Sequence, residues 1–255
     1  MKISEMLYDA AKYPFFGIKQ LLLLGLMILI SAFLLGQYND LYFYVYDVFG
    51  ATALLVMMML FFLIVIIFTV FEAGYSFKII EKSVLQIENP PKLNHFISMF
   101  KHGINEIIIG IIYFSVPFII LLVILDNIFN EINLGFPPLS IEISILILIV
   151  VIMLGFLADM IFTVSIPYMA SKGGSFKHAF NIPQIFKKIK KIGFKKLFIS
   201  YIIIIFGLVA IGGPILKEII GSTNIFGFFF AEELLAPYLI MFSARFTALI
   251  YMESL

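Results

Sequence analysis

The amino-acid sequence predicts an all-α polytopic integral membrane protein: six transmembrane helices in three tandem helical hairpins, with short in-plane amphipathic helices on the cytoplasmic side. Three observations carry that expectation. Hydrophobic residues make up 62% of the chain and charged residues 13%, with a mean hydropathy of +1.11, against about 45–50% and about 25% in soluble proteins. Apolar runs recur at the length needed to cross about 30 Å of hydrocarbon. Basic residues are segregated, most plainly in residues 167–196, which hold eight lysines and no carboxylate between two apolar runs.

Residues 1–20 place Ile3, Met6, Leu7 and Ala10 at helical spacing among charged neighbours, which predicts a short helix in the membrane surface that Pro14 ends. The expected spans are then 15–36, 48–71, 107–125, 141–167, 197–216 and 232–252, in one integral membrane domain covering 1–255. No small-x-small cleavage site follows the first apolar run, so it is expected to stay as a span and not to be removed as a signal peptide. The segment between the second and third spans carries a break at Asn89-Pro90-Pro91 and an apolar stripe of Leu93, Phe96, Ile97, Phe100 and Ile104, which predicts a second in-plane helix.

Topology follows from charge. Sixteen of the seventeen basic residues fall on one side of this six-span plan, and only Lys217 falls on the other. Lysine and arginine mark the cytoplasmic side, so both termini are expected in the cytoplasm and the protein in the cell membrane. Each hairpin starts inside, and Gly17, Gly103 and Gly193 stand at corresponding points of a threefold repeat. Parallel units of this kind differ from the inverted repeats of many alternating-access transporters.

Certain residues and motifs carry a resemblance to a family. Tyr13-Pro14, the run from Gly74-Tyr75-Ser76-Phe77-Lys78 to Ile80, Pro90-Pro91, and Ile112-Tyr113-Phe114-Ser115-Val116-Pro117 resemble the DUF4013 family of mainly archaeal membrane proteins. Pro167, Ser175, Ala179, Phe180 and the ending from Pro237 to Tyr251 are also similar to the membrane portion of some glycerophosphodiester phosphodiesterases. The resemblance implies a six-helix membrane domain and brings no catalytic residue with it.

A few polar residues stand out inside the spans. Asp159 lies eight residues before Pro167, and Arg245 seven before Met252. Each is costly in hydrocarbon, so they are expected either to pair with one another or, for Asp159, to serve a proton or ion path. Glu232 and Glu233 stand at the outer boundary of the sixth span, where they fit either a helix N-terminus or a cation site. Glu72 is expected at the inner end of the second span. His95 and His102 share a helix face, which raises zinc, but no nearby carboxylate completes a ligand set.

Lys187, Lys188, Lys190, Lys191, Lys195 and Lys196 suit anionic lipid headgroups, although marking topology would explain them equally. With no cysteine, and no nucleotide loop, metalloprotease or serine-hydrolase motif, the expectation is a protein that is not an enzyme and uses no cofactor. Its partners would be lipid, another membrane protein or a second copy, and not nucleic acid. The leading functional expectation is a membrane-organising protein that binds lipid or a partner; the alternative is a small transporter or channel using intramembrane carboxylates. Because the chain lacks cysteine, single cysteines report topology cleanly. Labels at Tyr42, Asn133 and Thr223 should react from outside and at Lys92 and Lys188 only from inside, and reversal at any two contradicts the plan.

Overall fold

The computed structural model describes residues 1–36, 38–129, 140–206 and 230–255. Among them every regular element is helical. The chain runs through α1 (Ile3–Lys12), a 3-10 turn (Tyr13–Gly17), α2 (Ile18–Gly36), α3 (Tyr38–Val84, broken at Gly50) and α4 (Phe96–Phe129). It continues through α5 (Ile141–Ser171), a 3-10 turn (Phe176–Phe180), α6 (Ile182–Ile192), α7 (Phe194–Phe206), a π-helical turn (Ala231–Leu235) and α8 (Ala236–Met252).

Among the described residues, five helical segments are long and apolar enough to cross a membrane: Ile3–Leu34, Gly50–Val84, Phe96–Asp126, Glu142–Ser171 and Glu233–Met252. The expected span 197–216 is described only as far as Phe206, and the remainder lies outside the described residues.

Hydropathy separates the spans into two kinds. The segments containing α3, α4 and α5 reach mean values of 3.2, 3.0 and 3.0, with little of their surface covered by protein, whereas the α8 segment reaches 1.5 and is half covered. The first three therefore present exposed apolar side chains of the kind lipid solvates, among them Met59, Phe62, Ile119, Leu146 and Ile152. α8 is the hub. It touches α1, α2, α3, α5, α6 and α7, and it buries Met241, Ala244, Phe246, Ala248 and Leu249. A helix surrounded by protein can carry hydroxyls and a cation that a lipid-facing helix cannot.

The amphipathic helices have distinct destinations. α1 turns Met6 and Ala10 inward and packs on α8, where the Tyr238 hydroxyl donates to the Ala11 carbonyl at 3.0 Å. α6 starts at Asn181, whose side-chain oxygen accepts from the Gln184 amide at 3.4 Å, with a proline in its first turn as helix starts favour. It buries Ile185, Ile189 and Ile192 and keeps its lysines on the other side. Gly193, at φ +93°, stops it, because that backbone region suits glycine.

The second in-plane helix expected around Leu93–Ile104 is absent as a separate element. Phe96 opens α4, which runs unbroken through 34 residues to Phe129, about 50 Å at about 1.5 Å per residue. No proline lies between Phe96 and Pro117, so nothing in that stretch interrupts the hydrogen-bond ladder. The three glycines of the expected repeat also differ in role. Gly17 closes a 3-10 turn against Pro90, Gly193 separates two helices, and Gly103 sits inside a continuous one.

Gly103 and Gly74 instead make the α3–α4 crossing. A methyl group on Gly74 would overlap the Met99 carbonyl, and one on Gly103 would overlap the Val70 carbonyl. Small residues that let two backbones meet are the usual membrane packing device, since lipid supplies no hydrophobic force between helices. Farther along, the Tyr113 hydroxyl on α4 donates to the Ala179 carbonyl and accepts from Ser165 Oγ at 3.3 Å, tying α4 to α5 and the turn after it.

Gly74→Ala and Gly103→Ala should therefore each destabilise the protein in a detergent melt by about 1–3 kcal/mol, the range for overpacking. Gly155→Ala on α5, where the added methyl meets nothing, should be neutral or stabilising by up to about 1 kcal/mol. Equal effects at all three would contradict the crossing.

Candidate functional site: an acidic cavity among the spans

Arg245 does not pair with Asp159. On α8 its Nε donates to Asp9 Oδ1 at 2.7 Å and its Nη2 to Asp9 Oδ2 at 3.2 Å, a two-pronged grip on a residue of α1. Nη1 donates to the Ile87 carbonyl at 3.3 Å, and the guanidinium lies 5.0 Å from the centre of the Tyr13 ring. The arginine side chain is 7% exposed and the aspartate 37%. Such a fork-to-carboxylate match is the strongest ordinary way to hold a buried guanidinium. The physical reason for the correction is reach along the fold, because the docking of α1 on α8 brings a carboxylate to Arg245 from the far end of the chain.

Asp159 is left on a different surface. It is partly buried on α5 and accepts a hydrogen bond from Thr163 Oγ1 at 3.4 Å, one turn along the same face. Both line a cavity of ≈ 420 Å³. α4 contributes Glu106 to it, α3 contributes Ser76, α7 contributes Tyr201, and α8 contributes Ser243 and Thr247 at i and i+4. Two carboxylates and five hydroxyls thus face one space, its other walls made by Ile80, Phe162, Ile166 and Ala244. Among the described residues, no lysine, arginine or histidine lines it.

Glu106 was expected in the polar segment before the third span and was not singled out. In the structure it sits ten residues into α4, about 15 Å from the start of that helix, with Oε2 sealed from solvent and without a hydrogen-bond partner among the described residues. A signal for it existed. The stripe of Leu93, Phe96, Phe100 and Ile104 continues in phase into the span with no helix breaker between, so the stretch is one helix and Glu106 belongs to its interior.

The remaining candidates are dispersed. Glu233 lies in the π-helical turn, with Oε2 buried and unpartnered; its backbone carbonyl stands where a side chain on Gly25 of α2 would be. Glu232 lies in the same turn. Glu72 is partly buried on α3 and does not line the acidic cavity. His95 and His102 do share a space, a surface cavity of ≈ 1120 Å³ at the start of α4, where His102 stacks on Phe77 at 4.4 Å. Two imidazoles fall short of a zinc ligand set, and no group of three or more His, Asp or Glu residues is placed for a metal among the described residues.

The lysine run divides into two groups. Lys188 donates to the Ser254 carbonyl at 3.0 Å, Lys191 to the Leu255 carbonyl at 2.7 Å, and Lys196 to Glu253 at 2.8 Å. Hydrogen bonds from Lys196 and the Met1 amino group hold the Glu253 carboxyl below its usual range. Lys187, Lys190 and Lys195 are exposed.

No curated protein and no solved structure matches this chain. The model of one family does, over residues 57–220, a stretch that begins within α3, takes in α4 and α5 with Glu106 and Asp159, and covers more than half of the sequence. It is described as a protein of unknown function, and it includes residues 74–117, which held most of the motifs that suggested it. The chain therefore belongs to the DUF4013 family.

Proposed function

We propose that this protein is a small permease-like membrane protein that holds a proton or a small monovalent cation between Glu106 and Asp159. The observation that carries this reading is the cavity itself: two carboxylates from adjacent helices long and apolar enough to cross a membrane face it, and among the described residues no basic side chain does. A carboxylate in hydrocarbon costs about 2.5–3.5 kcal/mol on insertion scales. A protein that keeps two of them in one space without a fixed counter-ion has to supply a proton, water or a mobile cation. The hydroxyls of Ser76, Thr163, Tyr201, Ser243 and Thr247 are suitable further oxygen ligands, as hard cations prefer.

In this reading the chain has six spans with both termini in the cytoplasm of a cell-membrane protein, performs no covalent chemistry and needs no cofactor. The membrane-organising alternative keeps one supporting observation, the amphipathic α6, which shows lysines beside exposed Ile182 and Phe186 at its surface. That arrangement suits an anionic bilayer surface and is compatible with a transport role elsewhere in the protein.

Proteoliposomes of the purified chain, loaded with a pH-sensitive dye and given a sodium or potassium gradient, test the proposal. Wild type should carry a cation or proton flux well above empty liposomes. Glu106→Gln and Asp159→Asn should each lower it at least tenfold, while Lys190→Gln should leave it unchanged. A wild-type flux no greater than that of empty liposomes, or one that survives both carboxylate substitutions, would falsify the proposal.

A further inference from the structure

A second cavity, of ≈ 480 Å³, lies where the end of α5, the lysine face of α6 and the end of α8 converge. Four lysines line it: Lys172 from the residue after α5, and Lys187, Lys188 and Lys191 from α6. Among the described residues, no aspartate or glutamate lines it. The nearest acidic side chain in the sequence, Glu253, is taken by Lys196 and the Met1 amino group. Lys188 and Lys191 each reach a backbone oxygen, of Ser254 and Leu255. Lys172 and Lys187 make no hydrogen bond or ion pair among the described residues. Among the described residues that line the space, the ammonium groups leave it with surplus positive charge.

Like charges gathered this closely oppose one another. Burial and the neighbouring Lys191, Lys172 and Lys187 push the Lys188 ammonium below its usual range. Hydroxyl groups complete the wall. Ser171 Oγ donates to the Tyr168 carbonyl at 2.8 Å and stands 3.1 Å from the Tyr251 hydroxyl, and Ser254, 1% exposed, keeps its Oγ sealed from solvent without a partner among the described residues. A buried, unpartnered hydroxyl in a native structure calls for a ligand or an ordered water.

We infer that this pocket is a binding site for a phosphate group. Four lysines and the unpartnered Ser254 hydroxyl at one space, with no aspartate or glutamate among the described residues that line it, match the charge and acceptor oxygens of a phosphate monoester or diester. Two sources share that chemistry: the headgroup of an anionic phospholipid, and a soluble phosphate. The exposed Ile182 and Phe186 on α6 offer apolar surface for acyl chains beside the lysines, as a lipid would use. The site is separate from the acidic cavity, with no lining residue in common, and does not depend on the transport proposal.

The test compares two double variants with the same loss of charge. Lys172→Gln with Lys187→Gln removes two pocket lysines that hold nothing else in place, whereas Lys190→Gln with Lys195→Gln removes two exposed lysines outside the pocket. Each purified chain in neutral detergent is melted with increasing short-chain phosphatidylglycerol, short-chain phosphatidylcholine or inorganic pyrophosphate. Wild type and the 190/195 variant should be stabilised in a saturable way by phosphatidylglycerol or pyrophosphate. The 172/187 variant should need about tenfold more or greater, at about 1 kcal/mol per lysine near the surface. Stabilisation by the lipid alone assigns the headgroup, and stabilisation by pyrophosphate assigns a soluble phosphate. No saturable stabilisation of wild type by either anion, or the same shift in both variants, overturns the inference.

Discussion

A guanidinium inside a membrane protein has to be held by an acid, and the way this chain meets that requirement organises the rest of it. Arg245 stands on the central helix, and its acid is Asp9 on α1, 236 residues away in sequence. The pair stitches the first helix onto α8 beside Tyr13, the Ile87 carbonyl and the Tyr238–Ala11 hydrogen bond. The ends of the described chain converge in the same region, where Met1 and Lys196 meet Glu253. Desolvating a pair like this offsets much of its attraction. Its consequence for the architecture is to commit α8 to a buried position, where helices approach it from several sides.

The same commitment shapes the acidic cavity. Since Arg245 is spent on Asp9, its charge is not available to Asp159, and the carboxylates of α4 and α5 face a space whose other polar side chains, among the described residues, carry hydroxyls. The α3–α4 crossing sets the other wall. Gly74 and Gly103 bring those backbones into contact, and the residues two and three positions beyond them, Ser76 and Glu106, are the ones each helix contributes to the cavity. Packing through small residues and placement of the polar groups are thus one feature. A larger residue at either glycine would move the cavity wall as well as weaken the bundle.

What could be anticipated from the residues alone followed the physics of each signal. Long apolar helices were legible because some twenty apolar residues in a row have few alternatives, and the amphipathic α1 and α6 were legible because their apolar residues recur at helical spacing. Periodicity says which face is buried, however, and not what buries it. The charged neighbours in α1, Asp9 among them, were therefore expected at the membrane surface, and Arg245 was expected to pair with Asp159. Glu106 was missed because hydropathy averages place a segment with Lys92, His95, Lys101, His102 and Glu106 outside the membrane, although the helix through it is continuous. The lysines of 187–196 were visible as a run, but Lys172 joins Lys187, Lys188 and Lys191 only because α6 folds back against the end of α5.

The central claim, that the arginine of α8 belongs to α1 and leaves the cavity acids without a fixed cation, has a direct measurement: two double-mutant cycles read by detergent melting. In the first, Asp9→Leu and Arg245→Leu are made singly and together; in the second, Asp159→Leu replaces the Asp9 variant. Asp9→Leu should cost about 3 kcal/mol, because it strands a buried guanidinium, and Arg245→Leu somewhat less, because the remaining carboxylate is partly hydrated. Both losses should be largely recovered in the double variant, while Asp159→Leu should be neutral or stabilising alone and additive with Arg245→Leu. Coupling of Arg245 to Asp159, with simple additivity for Asp9, would contradict the account.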